Sequence, residues 1–191
     1  MTLILVLLRE KLFKFIHRNN RNIIVGPGLR LNCWLSIKGP GRVEIGENCA
    51  VSAIAGSRVK LVTLYTHSPD AKLTIGDNAQ LVAARISSKF AISIGNNVII
   101  EDASIMDTDF HTLDISRKTP TDENCETCRV TIEDDVMVGS RSIITKGVTI
   151  GRASCIHPGA VVQKSFAPHS NLMGNPAKPI REKTAYGKLP V

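Results

Sequence analysis

Between Ile132 and Ala167 the chain repeats every six residues, in six consecutive hexads. Each hexad opens on a branched aliphatic residue: Ile132, Val138, Ile144, Ile150, Ile156 and Val162. The fifth position is small or apolar, holding Val136, Ser142, Val148, Ser154, Ala160 and Phe166. Apolar stripes of helices recur every three or four residues and those of half-buried strands every two, so a period of six matches neither. It predicts an all-β chain wound as a parallel β-helix. Each short strand forms one flat face of a prism, and stacked coils bury the repeated aliphatic side chains.

A looser form of the pattern runs upstream. Val25, Leu31, Ile37 and Val43 fall six apart, with Gly26-Pro27-Gly28 and Gly39-Pro40-Gly41 at turns. Ile45, Ile75 and Ile94 are each followed by Gly and, two positions later, by Asn48, Asn78 and Asn97. These residue types suit corners that need unusual backbone angles. Ile75 and Ile94 stand nineteen residues apart, one more than three hexads, which predicts a bulge or small loop between coils. Segments 55–72 and 112–131 lose the register and read as excursions from the prism, where solenoids place specificity.

Residues 2–18 read as an amphipathic helix. Leu5, Leu8, Leu12, Phe15 and Ile16 share one face, and Arg9, Lys11, Lys14 and Arg18 lie away from it. Such a helix caps the open end of a solenoid; the alternative is attachment to a membrane surface through its basic, amphipathic character. The chain thus divides into a helix and linker (1–22), a β-helical domain (23–167) and a C-terminal tail (168–191).

Composition agrees with a narrow aliphatic interior: hydrophobic residues make up 43% of the chain and aromatic ones only 4%. The net charge of +7 favours anionic partners. Nucleic acid is not expected, because neither RNA-stacking aromatics nor a DNA-reading helix is present. Five scattered cysteines make no disulfide framework and point to a reducing, cytoplasmic setting, with the inner membrane face as the alternative station of the helix. Cys125 and Cys128 form a single CxxC without a second ligand pair, so no metal is expected. No apolar run approaches the ~20 residues of a membrane span.

The hexads, followed by Gly174-Asn175-Pro176-Ala177-Lys178-Pro179-Ile180-Arg181, resemble the bacterial hexapeptide-repeat acyltransferases. The nearest subgroup is the small saccharide and polysaccharide O-acetyltransferases of the maltose and galactoside type. The resemblance is strong over 94–181 and looser over 25–93. It implies a left-handed parallel β-helix, a homotrimer with active sites between neighbouring subunits, acetyl-coenzyme A as donor and a saccharide acceptor, such as a cell-surface glycan or its precursor.

Acetyl transfer to a hydroxyl needs a base, an oxyanion donor and a thioester held in line. Of the five histidines, His111 is the candidate base. It closes Met106-Asp107-Thr108-Asp109-Phe110-His111, where the register stops, and the stretch resembles the family's acidic-x-acidic-x-His segment. A carboxylate on the far imidazole nitrogen would fix the tautomer. Asp109 is one option and Asp107 the other, unless Asp107 binds sugar hydroxyls. The resemblance further implies Ser140 as the backbone oxyanion donor. It places Pro158, Gly159, Gln163 and Lys164 along the cofactor arm, and Lys164, Lys178 and Arg181 at the phosphates and adenine end. Met137 stands where many relatives carry Trp, and His157-Pro158 replaces a usual Gly-Ala pair.

Three other readings compete. An N-acetyltransferase of a sugar-nucleotide amine uses the same chemistry. A zinc carbonic anhydrase on this fold needs three histidine ligands, and a close His pair near His111 is missing. A non-catalytic scaffold would need neither His111 nor the basic tail.

Overall fold

Three columns of aliphatic side chains run the length of the molecule. On the first face Val25, Ile45, Ile75, Ile94, Ile132 and Ile150 stack in register. On the second the column is Leu31, Val51, Leu81, Ile100, Val138, Ile156 and Leu172. On the third it is Ile37, Leu64, Ile86, Ile105, Ile144 and Val162. The computed structural model describes residues 3–56, 61–109 and 123–180.

Successive strands visit the three faces in turn, so each face is a parallel sheet with neighbours one coil apart. The result is a left-handed parallel β-helix. In the six hexads both inward positions are buried, Ser142 and Ser154 included, except Phe166, which is half-buried against the core. Each fully buried Ile or Leu contributes roughly 1.5–3 kcal/mol, which is why the hexad's opening residue tolerates so little variety.

The Gly-x-Asn corners divide two tasks. Positive φ falls on Asn48, Asn78 and Asn97, at 56°, 58° and 57°. The glycines are needed for close approach instead. A Cβ on Gly95 would lie 2.7 Å from Asp134 N and 2.8 Å from Glu133 C of the next coil. Gly95→Ala is therefore expected to cost about 1–3 kcal/mol, read by thermal unfolding. Asn97→Gly keeps the left-handed backbone and should cost less.

Four expectations change. The nineteen-residue interval is not one bulge: between the second and third faces Leu81 to Ile86 is a residue short, and Ile86 to Ile94 is two residues long. The excursion at 55–72 is shorter than expected, because Leu61–Thr66 is a strand of the third face. Its inward residues Val62, Leu64 and Thr66 alternate with period two, which a search for hexads passes over. The second excursion ends early, since Val130–Ile132 already pairs with Ala91–Ile94. Finally, the β-helix outlasts residue 167: Asn171–Met173 adds a further parallel strand, on which Lys178–Pro179 folds back antiparallel.

The N-terminal helix, Leu3–His17, covers the first coil, but not with the expected face. Phe13, 8% exposed, is the residue that joins the core. Arg9 donates to the Asn32 carbonyl at 2.7 Å and lies over the Trp34 ring. The stripe of Leu5, Leu8, Leu12, Phe15 and Ile16 is exposed. No helix among the described residues is long and apolar enough to cross a membrane.

Candidate active site

The chemistry-bearing residues collect at two corners flanking the third face. At the corner leading to the first face, the inward column changes from aliphatic to polar: Thr66, Ser88 and Asp107 are all fully buried. The Asp107 carboxylate accepts from Ser88 Oγ at 2.8 Å, Lys89 N at 2.6 Å and Phe90 N at 2.9 Å. It fastens the corner of the coil above. Both Asp107 oxygens face inward and accept from the coil above, so the expected roles of orienting a histidine or binding sugar hydroxyls would have to be met from that position.

Asp109 stands at the outer end of the same segment. Its carboxylate pairs with Lys146 Nζ at 2.5 Å, and its N–H donates to Glu123 Oε1 at 2.8 Å. The Glu123 side chain, only 1% exposed, also accepts from Thr108 Oγ1 at 2.8 Å and from Lys89 and Lys146 at 3.1 Å each. Residues 109 and 123 bracket the segment that contains His111, so this charged cluster fastens both ends of it to the prism. Burial opposes the Glu123 charge, but hydrogen bonds from Asp109 N–H, Thr108, Lys146 and Lys89 prevail and hold its pKa down to about 2. The Asp109 carboxylate, hydrogen-bonded to Lys146, raises that ammonium's pKa.

Because the Glu123 pKa is lower in the fold than in the unfolded chain, its stabilisation is complete above the ordinary carboxylate range. It should be lost as pH falls from about 4.5 toward 2. Thermal unfolding followed against pH should show this acid loss, and Glu123→Gln should flatten it.

The opposite corner, between the second and third faces, holds an open groove of about 490 Å³ lined by Ile54, Asp102, Ser140, Arg141, Pro158 and Gly159. Three of the sequence-predicted cofactor residues meet there. The coils stack closely: Gly159 N donates to the Ser140 carbonyl at 2.9 Å. No described residue accepts from the Ser140 N–H. Gly159 has φ of +75° and open space where a Cβ would stand, so the backbone is accessible from the groove.

The other predicted residues lie elsewhere. Gln163 and Lys164 follow the strand Val161–Val162 and sit on the far side of the third face, with Lys164 over the Phe166 ring. Lys178 is on the antiparallel end strand. His111 and Arg181 lie outside the described residues. Of the departures, Met137 is exposed on the second face and His157 Nε2 bonds Asn171 Oδ1 at 2.6 Å. Glu123, Lys89, Lys146 and Asp102 were not anticipated. Lys89 directly follows the third-face strand Arg85–Ser88 and Lys146 lies two residues past Ile144 of another, and the interval between them hides from a search for hexads that they share a corner.

Residues 129–164 match the family model "bacterial transferase hexapeptide (six repeats)". A candidate acetyltransferase of Schizosaccharomyces pombe is 40% identical over 91 residues, which is 48% of this chain and 43% of that protein. The chain therefore spans less than half of that curated relative. Among solved structures, a mutant of the Bacillus cereus N-acyltransferase AntD, in complex with dTDP and coenzyme A, aligns with a TM-score of 0.62 at 19% identity. The alignment covers 90% of this chain and 88% of AntD. The polysialic acid O-acetyltransferase OatWY aligns with a TM-score of 0.59 at 20% identity, covering 88% and 93% of the two chains. At these identities the shared property is the fold.

Proposed function

From a chain whose coils carry the bacterial transferase hexapeptide repeat, we propose an acetyl-coenzyme A-dependent O-acetyltransferase that acts on a saccharide hydroxyl of a cell-surface glycan or its precursor. The observation that carries this reading is the groove at Ser140, Pro158 and Gly159, where small residues and a backbone N–H without a described acceptor line an open channel.

His111 takes the acceptor hydroxyl proton as that oxygen attacks the thioester carbon. Ser140 N–H donates to the carbonyl oxygen as it gains charge. Collapse breaks the carbon–sulfur bond, and the His111 imidazolium returns its proton to the departing thiolate. Asp109, paired with Lys146, fastens the start of the His111 segment. Lys164, Lys178 and Arg181 offer cations to the cofactor's phosphates.

The groove and the Asp109–Glu123 cluster flank the third face, with Gly159 on one side and Gln163 on the other. Four steps of extended chain separate them, roughly 13 Å. A homotrimer in which one copy's groove meets the next copy's His111 segment would unite them. Co-assembling two inactive variants, His111→Ala and the groove-filling Pro158→Trp, is then expected to restore part of the activity, since some interfaces keep both intact halves. Failure of mixed trimers to recover any turnover would place both halves within one copy.

The deciding assay offers acetyl-coenzyme A with saccharide hydroxyl and amino-sugar acceptors, following free thiol and acetylated product. Exclusive N-acetylation would replace the O-acetyl reading with the amine-directed one. No transfer to any acceptor, without coenzyme A binding, would leave a scaffold.

A further inference from the structure

The helix Leu3–His17 has two apolar faces of unequal size. Successive residues rotate by about 100°. Phe13 and Val6 fall on the narrow side turned to the solenoid, together with Glu10 and His17, and all four are buried or half-buried. Ile4, Phe15, Leu8, Leu12, Leu5 and Ile16 occupy a continuous arc of about 120° on the other side, and every one is exposed, Ile4 by 66% and Phe15 by 63%. Lys11, Lys14 and Arg18, also exposed, border one edge of that arc. A folded chain rarely leaves so continuous an apolar surface uncovered.

We infer that this outward face docks on an anionic lipid bilayer, holding the capped end of the β-helix against the membrane. Charge decides the occupant. Three exposed cations line the edge of the apolar arc, whereas the helix's single acid, Glu10, lies on the solenoid side. Packing the same face against a second copy would bring like charges together with no carboxylate on that face to receive them. An anionic headgroup layer supplies the opposite charge, and its acyl boundary accepts the leucines. Fifteen residues of helix span roughly 22 Å, short of the ~30 Å hydrocarbon core, so the helix lies in the interface instead of crossing it. Phe13 keeps it seated on the first coil meanwhile.

The inference stands apart from acetyl transfer, since neither Ser140 nor His111 enters its test. The full chain is floated with vesicles of phosphatidylcholine alone and of phosphatidylcholine mixed with phosphatidylglycerol, at low and high salt. It should rise with the anionic vesicles only, and high salt should weaken the association. The triple variant Lys11→Gln, Lys14→Gln, Arg18→Gln should reduce partitioning on the order of 100-fold, from about fivefold per cation. Leu8→Glu with Phe15→Glu should abolish it without loss of thermal stability, because neither side chain packs on the prism. A readout without substitution is energy transfer from Trp34, the chain's single tryptophan, to a dansyl-labelled lipid. Trp34 lies beside the helix through Arg9. A chain that ignores both vesicle types would overturn the inference, and a Leu8→Glu, Phe15→Glu variant that changes oligomeric mass would overturn it and assign the face to another copy.

Discussion

Replacing His111 by alanine is expected to lower acetyl transfer at least ~100-fold while leaving coenzyme A binding intact. The reason is chemical: a saccharide hydroxyl is a weak nucleophile until its proton leaves, and an imidazole near its ordinary pKa of ~6.5 is the side chain suited to take it at neutral pH. The groove proposed for the cofactor is lined, among the described residues, by Ile54, Asp102, Ser140, Arg141, Pro158 and Gly159, across the third face from Asp109 and Glu123. The loss should therefore appear in turnover and not in donor affinity. His67→Ala is the informative control. His67 occupies the polar corner that Asp107 fastens. It bonds Ser87 Oγ at 2.7 Å, and burial holds its pKa below the ordinary value, opposed by Asp107 and reinforced by Lys89. If His67→Ala abolished transfer and His111→Ala did not, the base would be His67.

Asp107→Ala is expected to give the largest loss of stability of any single polar replacement considered, about 3–5 kcal/mol, from three stranded donors at roughly 1–3 kcal/mol each. For a chain of this size that corresponds to a fall in Tm of roughly 10 °C. Three donors that now share one carboxylate, Ser88 Oγ and the N–H groups of Lys89 and Phe90, would be left in the interior without it. Asp107→Asn keeps an acceptor oxygen and should recover part of the loss. A variant with unchanged Tm but no turnover would return Asp107 to the catalytic site.

The contrast between these two aspartates shows how far the sequence could be read. Asp107 and Asp109 lie two apart, and in extended chain they share a side of the strand, so one pattern suggested one role for both. The structure sends Asp107 into the polar end of the core and Asp109 outward to Lys146. Nothing local separates them. What does is the coil above, whose corner at 88–90 needs an acceptor, and that coil was aligned only through the fold. Similarly, the wheel of residues 2–18 marked the larger apolar stripe as the docking face. Phe13 is the helix residue that joins the core instead, with Arg9 reaching the Asn32 carbonyl beside it.

By itself the sequence determined the prism, its buried columns and its Gly-x-Asn corners, while a family resemblance pointed to Ser140, Pro158 and Gly159, which line one groove. Stacked parallel coils place chemically equal residues at equal intervals, so a strict period encodes the stack directly. Only the tertiary structure decided which residues meet across unequal intervals. Thirty residues separate Val43 from Leu73 and thirty-eight separate Ile92 from Val130, though each pair is adjacent in a sheet. Across those insertions Asp107 reaches the corner at 88–90, and Glu123 draws Lys89 and Lys146 around the base of the His111 segment. The partners of a buried charge are set by which coils lie next to one another, and an insertion of arbitrary length erases that information from the chain's own arithmetic.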